Sequence, residues 1–232
     1  MSYIEQFLFA IYPYICMTVF VVGSIIRYDS NQYSWKSESS ELLYRGQLRV
    51  GSILFHLGIL MVFGGHIAGL LTPMWVWDAL NISQAEHHDM AIMGGSLSGT
   101  MALLGIIILT HRRFRIERIS VTSTWRDKFI VVWLLITIIA GVALIPMAIA
   151  NHAHAVDELI AMMEYTQRII TFRGDAYGYI ADLPAAVKIH VFLGLTFFLV
   201  FPFTRMVHIW SGVAAFATYI PRAWQLVRPR TR

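Results

Sequence analysis

Long apolar runs alternate with short polar connections along the whole chain of 232 residues. Each of the first four runs has about 20 or more residues, and at ~1.5 Å per residue this length lets a helix cross a ~30 Å hydrocarbon core. A backbone surrounded by lipid must satisfy its own hydrogen bonds, so each run is predicted to be helical. The pattern predicts an all-α membrane bundle of five transmembrane helices, at about residues 4–26, 50–72, 90–110, 128–150 and 186–210.

The fifth run is the least regular of the five. It lies between Lys188 and Arg205, whose long side chains can reach the interface, and its apolar pattern continues to residue 210. Internal Pro146 and Pro202 are expected to kink the fourth and fifth spans. The connection before the fifth span contains one more candidate helix, at 156–171, with amphipathic spacing that suits a membrane interface.

No separate soluble domain interrupts this pattern. The chain 1–232 is therefore predicted to be one membrane domain with a C-terminal tail at 211–232. The part of this tail at 219–232 mixes aromatic residues, proline and arginine. It could dock on a partner, or it could be an ordinary solvated basic tail.

The amino-acid composition excludes a soluble protein and several kinds of cysteine-bound cofactor. Hydrophobic residues make up 57% of the chain and charged residues 14%, whereas soluble domains have roughly 25% charged residues. The single cysteine, Cys16, can form neither an internal disulfide nor an iron–sulfur cluster, which needs about four thiolates. A Cys-x-x-Cys-His motif for covalent c-type haem is also missing from the sequence.

Basic residues are concentrated on one side of the predicted membrane. Fifteen of the 18 lysines and arginines fall in the 27–49 connection, the 111–128 connection and the segment from 205 onward. The 72–89 connection has no lysine or arginine. By the positive-inside rule, the N-terminus is expected in the periplasm and the C-terminus in the cytoplasm. The first span lacks a basic leading segment and is therefore not expected to be a cleaved signal peptide.

Four histidines fall within or at the ends of two spans. His56 and His66 belong to the second span, and His190 and His208 to the fifth. Ionisable residues at membrane depth are costly and usually functional. Because these two helices run in opposite directions, His56 is expected at the depth of His208 and His66 at the depth of His190. This arrangement predicts two b-type haems, each bound between two imidazoles.

The helical rise between the two histidines of each span and the glycines near them both bear on the prediction of two haems. Ten residues rise ~15 Å along the second span and eighteen rise ~27 Å along the fifth, so helix tilt and the proline kink are expected to absorb the difference. Gly65 and Gly69 flank His66, and Gly194 lies one turn beyond His190. Glycine lets a flat haem approach a helix closely. Alternatively, Gly65 and Gly69 form a helix-packing motif.

Other functions would also place histidines in a membrane. A single one could be a packing residue that hydrogen-bonds a neighbour, and several could form a proton relay. Such relays favour carboxylates, and the five apolar runs contain no Asp or Glu. A transporter or channel and a haem-free structural anchor are the remaining alternatives.

The remaining histidines give weaker indications. His87 and His88 could accept a proton from a quinol, since histidine titrates near neutral pH, or they could equally be a solvated pair in a loop. His152 and His154 could bind a metal ion, but two histidine ligands without a carboxylate make a poor metal site. His111 is expected to lie at a helix end.

Two arginines lie near the predicted inner haem. Arg112 and Arg205 are placed at the cytoplasmic ends of the third and fifth spans. Their guanidinium groups could pair with haem propionates, or they could only fix the topology.

Several segments carry a family resemblance, and it extends over nearly the whole chain. They read SIIRYDSNQYSWKSESSELL, LFHLGILMVFGGHIAGLLTPMW, GGSLSG, RIITFRGDA and KIHVFLGLTFFLVFPFTRMVHIW. These segments resemble the γ subunit, the cytochrome b subunit, of membrane-bound respiratory nitrate reductase.

The resemblance implies a five-helix protein of the bacterial cytoplasmic (inner) membrane that binds two b haems. It places the four haem ligands on His56, His66, His190 and His208. It also implies that quinol is oxidised near the outer haem and that electrons pass to an iron–sulfur subunit and a molybdenum catalytic subunit on the cytoplasmic side. The dihaem subunit of another oxidoreductase remains the alternative within this class.

The resemblance is incomplete at the quinol site. The family associates this site with the outer haem, with glycines of the second span and with a lysine in the second loop. The sequence has Gly65 and Gly69 but lacks that lysine, and His87 is the nearest replacement. The chain has no cysteine cluster and no substrate-sized soluble domain, so nitrate reduction is expected to take place on a partner subunit.

Overall fold

The structure is a computed structural model that describes residues 3–31 and 45–210. Within these ranges, five helices are long and apolar enough to cross a membrane, and no strand occurs. The predicted all-α architecture with five spans is therefore confirmed, whereas the predicted tail at 211–232 lies outside the described residues. We number the helices span 1 to span 5, and their bounds are Tyr3–Ser30, Gly46–Leu71, Gln84–Arg115, Trp125–Ala150 and Ala185–Phe203.

Two of the spans contain a wider π-helical turn, and shorter helices lie in the connections. Span 1 passes through a π-segment at Phe7–Ile11, and span 2 ends in another at Ile67–Leu71, directly after His66. The helices outside the spans are Met74–Ala79, Glu117–Thr122, His152–Ile170 and Tyr177–Ile180.

Capping boxes determine where spans 3 and 4 begin. The Ser83 hydroxyl accepts a hydrogen bond from the Glu86 N–H at 3.3 Å, and the Glu86 carboxylate accepts one from the Ser83 N–H at 2.8 Å. Thr124 and Asp127 form the same reciprocal pair at the start of span 4. Because these boxes satisfy N–H groups of the first turn, span 3 begins at Gln84, six residues before the start that its apolar run predicts.

Spans 2 and 3 touch through their backbones. A Cβ atom on Gly58 would lie 2.4 Å from the Ala102 nitrogen, and one on Gly105 would lie 2.3 Å from the Phe55 nitrogen. Neither position has room for a side chain, so glycine allows the two helices to approach this closely. Phe55 and Ala102 are also part of the largest buried apolar cluster, which extends to spans 4 and 5.

Span 5 is shorter and less regular than the sequence predicts. Its α-helix covers Ala185–Val200 and is followed by a 3-10 turn at Phe201–Phe203. Thr204 is extended, with φ −118° and ψ 178°, and a second 3-10 turn covers Arg205–Val207. A predicted continuous helix to residue 210 is therefore replaced by a break, because Pro202 lacks the N–H that the helical ladder needs.

Span 1 supplies the hydrogen bonds that the break removes. Arg27 Nη1 donates to the carbonyl of Pro202 at 2.5 Å and to that of Thr204 at 2.7 Å. The Thr204 hydroxyl donates to the Phe201 carbonyl and accepts from the Met206 N–H. An unsatisfied carbonyl at membrane depth is costly, so these contacts let the irregular backbone persist there.

The helix His152–Ile170 lies across one end of the bundle, and it includes most of the interfacial helix that the sequence predicts. Its Tyr165 hydroxyl donates to the Phe9 carbonyl in the π-segment of span 1 at 3.0 Å. Burial raises the pKa of Tyr165, which keeps the phenol protonated as a donor. Gln167 donates to the Leu70 carbonyl in the π-segment of span 2 at 3.1 Å. The helix therefore satisfies carbonyls of both π-segments.

Candidate functional site

The structure brings the four intramembrane histidines together as two pairs. The ring centroids of His56 and His208 lie 6.4 Å apart, and those of His66 and His190 lie 6.2 Å apart. Each pair takes one ring from span 2, and the partner ring comes from span 5 or from the turn that follows it. These pairs are the ones that the depth argument predicts.

The chain itself orients the two rings of span 2. His56 Nδ1 lies 2.7 Å from the Ser52 carbonyl oxygen, and His66 Nδ1 lies 2.8 Å from that of Val62. A carbonyl oxygen only accepts, so each Nδ1 carries a proton and Nε2 is the ring nitrogen that is available to a metal ion. Metal-bound histidines typically show this pattern, in which the second nitrogen donates to a carbonyl.

His208 is held in a comparable way just after the break. Its Nδ1 lies 2.7 Å from the Arg205 carbonyl oxygen. The Arg205 side chain in turn donates from Nε to Asp127 Oδ1 at 2.6 Å, and Arg113 Nη1 lies 3.8 Å from the same carboxylate. Asp127 was not identified from the sequence, because it lies at the edge of an apolar run among several basic residues. It fixes Arg205, and through the backbone it helps to fix His208.

His190 packs against a glycine of span 4. A Cβ atom on Gly141 would lie 2.7 Å from His190 Cε1, so the imidazole occupies the space that a side chain at Gly141 would need. Gly141 could not be identified from the sequence either, since a lone glycine in an apolar helix carries no local signal. Only its packing opposite His190 shows its role.

The glycines near the outer histidine pair differ in their surroundings. A Cβ atom on Gly65 or Gly194 would meet no neighbouring atom within 4 Å among the described residues. Gly65 therefore makes no close helix contact in the described part of the chain, unlike Gly58. A Cβ atom on Gly69 would lie 3.7 Å from His87 Nε2, which places His87 beside the end of span 2.

His87 is a buried residue in the first turn of span 3. Its side chain is only 3% exposed, and its ring stacks on Trp77 with the centroids 4.3 Å apart. It is therefore not part of a solvated loop. Trp77 is also buried, whereas Trp75 is 70% exposed and suits the interface.

The two arginines predicted near the inner pair have different environments. Arg112 is buried in the last turn of span 3, with 3% of its surface exposed. Arg205 is half-buried and bound to Asp127 through its Nε. Propionate pairing by either arginine stays a prediction.

The end of the bundle at which span 3 begins holds a further cluster that joins two segments distant in sequence. One ring nitrogen each of His88 and His152 and one carboxylate oxygen of Asp89 lie within 4.8 Å of one another. The sequence suggested His152 and His154 as a possible metal-binding pair, but the carboxylate that such a site needs is Asp89, from the start of span 3.

Comparison with known proteins identifies the family to which the chain is similar. The family model described as "Nitrate reductase gamma subunit" matches residues 5–230. Respiratory nitrate reductase 1 gamma chain of Escherichia coli (strain K12) is 38% identical over 230 residues, which cover 99% of this chain and 100% of that protein.

Two further relatives have similar coverage. Respiratory nitrate reductase 2 gamma chain of the same organism is 40% identical over 229 residues, with 99% of each chain covered. Nitrate reductase gamma chain of Bacillus subtilis (strain 168) is 37% identical over 226 residues, covering 97% of this chain and 99% of that protein. Taken with the five helices that are long and apolar enough to span a membrane, these matches show that the chain belongs to the nitrate reductase gamma subunit family.

Proposed function

We propose that this chain is the dihaem cytochrome b subunit of a membrane-bound nitrate reductase. In this role it oxidises quinol near the periplasmic face and delivers the electrons to an iron–sulfur subunit and a molybdenum catalytic subunit on the cytoplasmic side. The proposal rests on one observation: two histidine pairs connect span 2 to span 5 and the turn that follows it.

The spacing of each pair suits a metal-centred cofactor. Two imidazoles that bind one metal ion from opposite sides, with metal–nitrogen bonds of about 2 Å, have their ring centroids about 6 Å apart. The observed separations of 6.4 and 6.2 Å agree with this value. The open space at Gly65 and Gly194 supports the fit of a flat macrocycle beside the outer pair.

In this proposal His56 and His208 hold the inner haem, and His66 and His190 hold the outer one. When bound, the two haems supply one-electron oxidation and reduction. The Ser52, Val62 and Arg205 carbonyls keep three of the rings in the tautomer and orientation that iron ligation needs.

The surroundings of His87 support a quinol site at the outer end. Quinol gives up two protons for every two electrons, so its oxidation needs a proton acceptor near the head group. His87 lies beside Gly69 and is stacked on the flat ring of Trp77. We assign His87 the role of proton acceptor, in the place of the family's second-loop lysine, and Gly65 and Gly69 the role of admitting the head group.

The charge distribution supports an orientation with the basic connections in the cytoplasm of a bacterial inner membrane. The outer histidine pair then faces the periplasm. Protons are released outside while electrons move inward, and each charge that crosses the whole membrane is worth ~2.3 kcal/mol per 100 mV. Turnover therefore builds a proton-motive force.

The test is to remove one ligand of each pair. His66→Ala is expected to lose the outer haem and keep much of the inner one, and His56→Ala is expected to do the reverse. Haem per protein is measured from the reduced-minus-oxidised spectrum of the purified chain, with His111→Ala as a control that keeps both. Wild-type protein without b-type bands would exclude the function, and full retention of two haems in either ligand variant would break the assignment.

A further inference from the structure

A second cluster of nitrogen and oxygen donors lies away from the paired histidines. His88 and Asp89 stand in the first turns of span 3, and His152 begins the helix His152–Ile170. The rings of His88 and His152 meet edge to face with the centroids 4.8 Å apart, and His152 Nε2 lies 2.8 Å from Asp89 Oδ1. Three potential metal ligands thus converge from two separate segments.

The cluster has a buried side and an open side. His88 is 4% exposed, and its buried Nδ1 has no hydrogen-bond partner among the described residues. The side chains of His152 and Asp89 are 46% and 57% exposed. Buried polar atoms are normally paired with protein, water or an ion, so an unpaired buried imidazole nitrogen makes His88 a candidate metal ligand. The two exposed ligands leave the position open to an ion from solution.

The donor set identifies the class of ion. Calcium and magnesium prefer shells made of oxygen atoms, whereas two imidazoles and one carboxylate form a common zinc set with one coordination position left for water. Tetrahedral bonds of about 2.1 Å separate the ligand atoms by about 3.4 Å. The three ligand atoms here already lie within 4.8 Å, and the two exposed side chains can rotate to close the difference.

We infer that His88, Asp89 and His152 form a binding site for a divalent transition metal ion, with zinc as the best match. The bound ion joins the start of span 3 to the helix that lies across the bundle end. The competing interpretation is that Asp89 and His152 form only an ion pair. It predicts no bound metal.

The experiment measures zinc on the full-length chain, purified without a polyhistidine tag and stripped with a chelator. Zinc bound per chain is determined by mass spectrometry, and the Kd is determined by competition with a metal-sensitive dye. The expected result is one saturable zinc ion per chain, with a Kd that rises at least tenfold in Asp89→Asn and in His152→Ala. His154→Ala, two residues along the same helix, is the matched control and is expected to bind as wild type does.

Two further readouts make the outcome decisive. X-ray absorption at the zinc edge should show imidazole ligands, and zinc should raise the Tm of wild type but not that of Asp89→Asn. Asp89→Asn keeps the size of an exposed side chain, so a loss of binding there does not come from misfolding. Wild type without saturable zinc, or variants with unchanged affinity, would overturn the proposal. A wild-type Tm that zinc does not raise would also overturn it, and any fall of the Tm in the two variants would then come from loss of the ion pair alone.

Discussion

Gly141 is the residue on which the position of the His190 ring depends. A Cβ atom there would lie 2.7 Å from His190 Cε1 and would push the ring away from span 4. We expect Gly141→Ala to lose the haem between His66 and His190 while the inner haem is retained, at a cost of about 1–3 kcal/mol in stability for overpacking. Haem per protein and the thermal midpoint in detergent measure the two effects.

Gly178→Ala is the control for Gly141→Ala, because a Cβ atom at Gly178 would meet no atom within 4 Å among the described residues. It should bind both haems as wild type does. Equal loss of the two haems in Gly141→Ala would mean that the substitution disturbs the whole bundle rather than one ring.

Substitution of His87 should slow the oxidation of quinol and leave the haem content unchanged. Because it is buried beside Gly69 and Trp77 and lies in neither ligand pair, we expect His87→Ala to slow quinol oxidation by about 100-fold, the usual scale for a lost general base. Electron transfer from an artificial donor to the partner subunits should persist. Steady-state rates with both donors are measured, and His154→Ala serves as the control. Quinol kinetics that stay unchanged would remove His87 from the mechanism.

Residue identities were easier to predict from the sequence than residue environments. The depths of His56, His66, His190 and His208 follow from helix direction, so their pairing in space could be predicted. The roles of Gly141 and Asp127 could not be, since both depend on which helix lies opposite. The burial of His87 was missed for a related reason, because span 3 begins earlier than its apolar run.

At the scale of elements, the break in span 5 is held by span 1. Arg27 donates to the carbonyls of Pro202 and Thr204, just before the turn that carries His208. We expect Arg27→Met to lower stability by about 1.5–3 kcal/mol, the scale of hydrogen bonds from a charged donor, and to weaken binding of the inner haem more than the outer. Thermal unfolding and haem per protein test this expectation.

Arg49→Met is the matched control for Arg27→Met, since it removes the same charge from an exposed position near the start of span 2. If the two variants unfold and bind haem alike, Arg27 does not support the break.

The break after Val200 also shows why the structure of span 5 could be predicted only in part. Pro202 signals an irregularity in the sequence, but the extended Thr204 and its contact with Arg27 depend on a helix about 175 residues away in the chain. Eighteen residues of continuous helix would separate His190 and His208 by ~27 Å, against ~15 Å for the pair on span 2. In the structure the helix ends before His208, so the depth of His208 is set by the turns after Val200 and not by eighteen residues of regular helix.

At the scale of the whole molecule, the arrangement of charge predicts one orientation. A reporter fused after Arg232 should be cytoplasmic and one inserted in the 72–89 connection should be periplasmic, because fifteen of the 18 basic residues lie on the opposite side from that connection. Two reporter proteins are fused at each position, one that is active only in the cytoplasm and one that is active only in the periplasm. The reverse pattern would exchange the outer and inner haem assignments.

The two histidine pairs also have a consequence for the order in which the molecule is made. Each pair joins span 2 to span 5 or the turn after it, and two whole helices are synthesised between them. Spans 2 and 3 can already associate through Gly58 and Gly105 while the ribosome is still at work. A nascent chain that has not yet reached Ala185 holds only His56 and His66, each without its partner. Both pairs therefore close late, after most of the bundle has been inserted, and a ligand loaded between them ties the last helix made to one of the first.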